Sequence, residues 1–237
     1  GASIGHPGSY YAQSHYGAKG MPKHSSHAVP HLEKYHGTDV FLTEALTLEA
    51  KAAIKESAVS QKPFFLSMAH YAVHSPFESD PRFAENYKAS GKDRFAQNYA
   101  TLIEGMDKSL GDILDQLEAL GIANNTLILF LGDNGSDAPL GHQNEAASSA
   151  PLRGKKGCHY EGGMRTPFIA AWAKPDPANP HQKSLAIPSG CIQTQVANIT
   201  DLFPTLAALT KSSLPADHPI DGKPLQTLLT GKPDPSR

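Results

Sequence analysis

The stretch Thr126-Leu127-Ile128-Leu129-Phe130-Leu131-Gly132-Asp133-Asn134-Gly135 reads as a buried strand, an unbroken apolar run that delivers Asp133 and Asn134 to its carboxyl end between two glycines. In open α/β sheets, ligands and metals bind beyond the carboxyl ends of the strands. An acid and an amide placed there offer hard oxygen donors. Asp-Asn-Gly is also an ordinary turn after a strand, so turn and metal site both stay open on these residues alone.

Working outward, residues 93 to 120 carry Phe95, Leu102, Met106, Ile113 and Leu117 at helical spacing, and Gly121 stops the helix. Upstream, Lys62-Pro63 breaks the chain, and Phe64-Phe65-Leu66-Ser67-Met68-Ala69 predicts a second buried strand that runs into His70-Tyr71-Ala72-Val73-His74. Strand, long helix, strand is the order of a right-handed parallel crossover, which puts both polar strand ends on one edge of the sheet. A helix from Thr38 as N-cap to Ser57, with Phe41, Ala45, Leu48 and Ala52 on one face, precedes them.

Beyond the central stretch, residues 136 to 166 form a long irregular segment containing Arg153, Lys155, Lys156 and Arg165. Pro167 to Trp172 reads as a strand and residues 174 to 190 as loop. Thr200 to Thr210 reads as a helix that tolerates Pro204 in its first turn, and Pro224 to Leu229 as a last helix ending at Gly231. The fold class is α/β, with a largely parallel or mixed central sheet flanked by helices. Residues 1 to 37 are an irregular, histidine-rich loop whose spacings match no zinc pattern. Residues 38 to 210 are the α/β core, and 211 to 237 lead out of it.

Composition narrows the functional classes. With 39% hydrophobic residues and 21 basic against 23 acidic residues, the chain suits a globular protein with a sizeable core and gives no reason to propose nucleic acid or a membrane surface as partner. No apolar run approaches the roughly 20 residues that cross a bilayer. Cys158 and Cys191 are too few for a disulfide scaffold and are left open as paired or free. His142 and Gln143 are further candidates for substrate contact, against a solvated-loop reading. Alone, His74 reads as a structural histidine and Lys156 as a solvated lysine. Taken together, cations from one loop and polar groups from two strand ends converge on a cleft suited to an anionic group beside a metal.

Six separated blocks carry a family resemblance: Phe64 to Pro76, the helix near Asn98-Tyr99-Ala100, Thr126 to Gly135, Pro151 to Gly157, Tyr160 to Arg165, and Asp201-Leu202-Phe203-Pro204-Thr205. In order and spacing they resemble the sulfatase family of the alkaline-phosphatase-like superfamily. The resemblance implies that Asp133 and Asn134 are calcium ligands, that Lys156 contacts the sulfate group, and that His74 assists the leaving oxygen. It implies a sulfate ester of a sugar or aryl alcohol as substrate, and a periplasmic or secreted parent protein. Asn134 offers a carbonyl oxygen where phosphatases and phosphodiesterases of the superfamily commonly place a histidine, which favours one hard cation over a zinc pair.

The family's nucleophile is a formylglycine made from Cys or Ser in a C-x-P-x-R or S-x-P-x-R motif. Neither cysteine has that context, and the literal match Ser149-Ala150-Pro151-Leu152-Arg153 falls inside the lysine loop, so it is read as coincidence. Asp133 and Asn134 supply two or three of the roughly six to eight oxygens that calcium takes. The chain therefore resembles the middle of a sulfatase, incomplete at both ends, with nucleophile and remaining calcium ligands outside it and little activity expected of it alone. A phosphodiesterase or phosphonate hydrolase of the same superfamily, and a catalytically inactive binding protein of this fold, are the alternatives.

Overall fold

Two long helices realise the helical periodicities in the computed structural model, which describes residues 29–35, 38–75, 77–136 and 149–237. The chain divides into two compact units, one formed by Gly1–Leu120 with Asn134–Arg165, the other by Gly121–Asp133 with Thr166–Arg237.

In the first unit, α1 spans Leu42–Val59, the one-turn α2 Ala84–Tyr87 and α3 Arg94–Ala119. Asp93 caps α3, its carboxylate accepting from the Ala96 N–H at 2.9 Å. Thr38 does not cap α1: its hydroxyl and N–H both bond the Tyr35 carbonyl, closing the preceding short 3-10 turn, and the helix starts after Phe41. The buried face of α1 is Leu42, Ala45, Ala50 and Ile54, while Leu48 and Ala52 are exposed. Phe41 and Ala45 of the expected stripe are buried, whereas Leu48 and Ala52 are not, because the core packs against the Leu42 and Ala45 side of the helix. Val29, Leu32, Phe41, Leu42, Ala45 and Leu102 make the core of this unit. Across it, the buried hydroxyls of Thr47 and Ser109 bond α1 to α3 at 2.6 Å.

A buried carboxylate anchors the segment before α2. Asp80 is fully buried, its N–H donates to Thr101 Oγ1 at 2.9 Å, and its oxygens take the Arg82 guanidinium at 3.0 and 2.7 Å. Residues 64–69 are not a strand. An extended run becomes a strand only when a neighbour pairs its N–H and C=O groups, and among the described residues none does. Phe65 stays 74% exposed, so the expected parallel crossover is absent from the described residues.

In the second unit, β1 (Leu127–Leu131) pairs with β2 (Phe168–Trp172) in a two-stranded antiparallel ladder, Leu127 opposite Trp172 and Leu131 opposite Phe168. β1 is half-buried along its length rather than fully buried. Leu127, Ala170 and Trp172 pack on a small core of Leu185, Leu225, Leu228 and Leu229. The expected loop from 174 to 190 contains a helix, α4 (Pro180–Ser184), started by the Asn179 side chain accepting from the His181 N–H at 2.8 Å. The helix α5 (Leu202–Thr210) follows a capping box between Asn198 and Asp201, and α6 (Gln226–Leu229) ends before Gly231. Asp201 is the node of this end of the chain. It accepts from the N–H groups of Asn198 and Lys223 and, at 2.8 Å, from the Arg237 guanidinium.

Candidate active site

The ladder continues one residue beyond β1, with the Gly132 N–H donating to the Pro167 carbonyl at 3.1 Å. There the chain turns, and the next two residues are the metal candidates. The Asp133 carboxylate is exposed and has no hydrogen bond or ion pair among the described residues. The Asn134 amide nitrogen donates to the Gly135 carbonyl at 2.9 Å, and its Oδ1 has no hydrogen bond among the described residues. Two consecutive residues thus hold back oxygen donors of the kind calcium takes, and in that respect they fit the ion. Among the described residues no group of three or more His, Cys, Asp or Glu side chains is arranged to hold a metal.

Lys156 comes to Asn134 through the backbone. In the first unit the Gly135 N–H donates to the Gly163 carbonyl at 2.9 Å, and the Lys156 N–H donates to the Ser136 carbonyl at 2.8 Å. The junction is so close that a Cβ on Gly135 would lie 1.9 Å from the Gly162 carbonyl oxygen, and one on Gly162 2.3 Å from the Gly154 oxygen. Only residues without side chains allow two loop backbones to meet this way. The turn bearing Lys156 is braced from within. The Cys158 thiol donates to the Lys155 carbonyl at 2.7 Å and accepts from the Lys155 N–H at 3.0 Å, while the Arg153 guanidinium lies 3.9 Å over the Tyr160 ring. Cys158 and Cys191 are both free thiols. The Lys156 side chain is half-buried, and its ammonium has no partner among the described residues. A fixed backbone carrying an unpaired cation is suited to receive an anion.

His74 belongs to the same unit but to a different segment. Its N–H donates to the Tyr71 carbonyl at 2.7 Å, and its ring Nδ1 is 2.6 Å from the Ser75 carbonyl. A carbonyl oxygen only accepts, so Nδ1 carries a proton. The ring is exposed. Sequence reasoning passed over His70, whose Nδ1 is buried without a hydrogen bond and whose pKa burial pushes down to about 4. Its only sequence signal is a second histidine four residues before His74. His142 and Gln143, and most of the histidine-rich segment 1 to 37, lie outside the described residues.

The Sulfatase family model matches residues 9–212. N-acetylgalactosamine-6-sulfatase from Canis lupus familiaris is 34% identical over 195 residues, covering 82% of this chain and 33% of that protein. Steryl-sulfatase from Homo sapiens is 33% identical over 199 residues, covering 81% of this chain and 30% of that protein. Among solved structures, Ps i-CgsB in complex with k-i-k-neocarrahexaose superposes with a TM-score of 0.69 at 27% identity, over 81% of this chain and 39% of that one. The chain spans about a third of the length of the curated relatives it matches. No helix among the described residues is long and apolar enough to cross a membrane.

Proposed function

The chain belongs to the sulfatase family, with its alkaline-phosphatase-like α/β fold, and from that premise we propose that it carries the sulfate-recognition and proton-transfer side of a sulfuric ester hydrolase. The observation that carries this is the glycine junction, which ties Lys156, with its unpaired ammonium, to the Asn134 end of the β1 loop. Lys156 would neutralise the non-bridging oxygens of a bound sulfate ester. His74, in its protonated form, would donate from Nε2 to the departing oxygen, while its Nδ1–H stays on the Ser75 carbonyl and keeps the ring oriented. Asp133 and Asn134 would hold calcium, which when bound adds positive charge beside the same sulfate oxygens.

The nucleophile of this reading is a formylglycine in the longer protein, since neither Cys158 nor Cys191 stands in a C-x-P-x-R context. The substrate class is a sulfated carbohydrate or aryl sulfate. N-acetylgalactosamine-6-sulfatase and the neocarrahexaose complex support the carbohydrate reading. A periplasmic or secreted location goes with it.

The test is turnover of an aryl sulfate, and of the matching aryl phosphate, by the complete gene product and its His74→Ala and Lys156→Ala variants. Each variant should lose on the order of 10²-fold or more in kcat with its urea midpoint unchanged. Near-wild-type turnover by both variants, or a strong preference for the phosphate, would overturn the proposal.

A further inference from the structure

Lys156 sits in a turn that one side chain ties shut. Lys155 to Cys158 form a four-residue turn in which the Cys158 N–H donates to the Lys155 carbonyl at 3.1 Å. Lys156 takes its second place, and Gly157 takes the third with φ +86°. A positive φ at the third place is what a type II turn requires, and glycine supplies it. The Cys158 thiol then reaches back to the first residue, donating to the Lys155 carbonyl at 2.7 Å and accepting from the Lys155 N–H at 3.0 Å. The carbonyl thus accepts twice from Cys158, once from its backbone and once from its side chain, as its two lone pairs allow.

The surroundings of the thiol are fitted to it. Gly154 leaves the space it fills, since a Cβ there would stand 2.5 Å from Cys158 Sγ. The base of the turn lies against Gly163, where a Cβ would stand 2.1 Å from the Cys158 carbonyl oxygen and 2.5 Å from that of Lys155. A single hydrogen bond across a turn lets the turn hinge about it, whereas bonds to both polar groups of Lys155 fix its inclination. The Lys156 N–H, donating to the Ser136 carbonyl at 2.8 Å, sets where the backbone lies. The inclination of the turn sets the direction in which the lysine side chain leaves it.

We propose that Cys158 is a positioning residue for Lys156: its two thiol bonds to Lys155 hold the turn from which the ammonium is aimed at the sulfate oxygens. The proposal rests on the reading of Lys156 as the sulfate contact. It assigns the thiol no contact with substrate and no redox step.

The experiment is a double-mutant cycle in the complete gene product, read by aryl sulfate turnover and urea midpoints. Its members are Cys158→Ala, Cys158→Val, Cys158→Ser, Lys156→Ala and the combination of Lys156→Ala with each Cys158 variant. Alanine removes both thiol bonds, valine fills the space without making them, and serine keeps a group that donates and accepts. Cys158→Ala and Cys158→Val should each lose about 10-fold in kcat/KM, and Cys158→Ser should recover most of that loss. With Lys156→Ala already present, the Cys158 variants should cost less than about twofold more, because a residue that acts through Lys156 has nothing left to aim. A purely structural role would instead lower kcat/KM by the same factor in both backgrounds, and that result would overturn the proposal. So would wild-type kcat/KM in Cys158→Ala or Cys158→Val, or a Cys158→Ser variant with less than a tenth of wild-type kcat/KM. If Lys156→Ala itself keeps wild-type turnover, the reading of Lys156 fails and this inference falls with it. If Lys156→Ala is impaired while the Cys158 variants are unaffected, the inference alone fails.

Discussion

Replacing Gly135 by alanine should take apart the junction between the β1 loop and the lysine loop. The added Cβ would stand 1.9 Å from the Gly162 oxygen and 2.8 Å from both Gly162 C and Gly163 Cα, where Cβ atoms essentially never come within 3.0 Å of a neighbour. All three obstacles are backbone atoms, so no rotamer change relieves them, and the loops must separate by about 1 Å. That movement strains the bonds from Gly135 to Gly163 and from Lys156 to Ser136, now 2.9 and 2.8 Å. Overpacking of ~1–3 kcal/mol and two backbone bonds of ~1 kcal/mol each give a total loss of ~3–5 kcal/mol. Because Lys156 rides on the displaced turn, kcat/KM for an aryl sulfate should fall about 10²-fold. Urea denaturation and steady-state kinetics of the complete gene product measure the two effects. Wild-type values in both would refute the close-packed junction. A lower midpoint with unchanged kcat/KM would keep the packing but sever its link to Lys156. Gly111→Ala is the matched control: nothing lies within 4 Å of a Cβ there, and alanine inside α3 should stabilise by ~0.5–1 kcal/mol.

Three further outcomes follow from the second unit and from the metal candidates. Arg237→Ala leaves the Asp201 carboxylate buried without its guanidinium and should cost ~3–5 kcal/mol in urea denaturation; a cost under ~1 kcal/mol would show the pair to be dispensable. Burial alone would raise the Asp201 pKa, but the N–H groups of Lys223 and Asn198 and the Arg237 guanidinium outweigh it and hold the carboxyl below its usual range. The folded value being the lower one, this stabilisation is complete above the unfolded carboxylate range and is lost as pH falls below about 4 toward the folded value. Asp201→Asn should therefore lower stability at neutral pH and flatten the acid limb of the stability curve, and an unchanged acid limb would contradict it. Added calcium should raise the melting temperature of the complete gene product, by the equivalent of ~2.7 kcal/mol at a hundredfold excess over Kd. Asp133→Ala and Asn134→Ala should each reduce that rise, and an equal calcium response in all three proteins would remove both residues from the metal site.

Much of the architecture was legible because it is written locally. The helical stripe from 93 to 120, with Asp93 before it and Gly121 after, folds as α3 because capping and periodicity need only near neighbours. The runs at Leu127–Leu131 and Phe168–Trp172 have strand composition, and they are strands because each pairs with the other. Failures came where a neighbour decides. Phe64 to Ala69 has strand composition but no pairing among the described residues, and composition cannot provide a partner. The sense of the β1–β2 pair, antiparallel, depends on how the long segment between them returns, which apolar alternation does not encode. The buried face of α1 is selected by what packs on it, Val29, Leu32 and Leu102, which spacing within the helix does not encode.

The sequence by itself determined the residue types of the candidate site and their order: an acid and an amide after a strand, a lysine in a glycine-rich loop, and a histidine after an apolar run. Their chemistry is intrinsic to the side chains, so it survives without coordinates. Only the tertiary structure decided that Lys156 is fastened to the Asn134 loop and that Asp133 and the Asn134 oxygen are unengaged among the described residues. Those are facts about distance and burial between residues far apart in the chain. They arise because backbone can meet backbone only where Gly135 and Gly162 leave room for it.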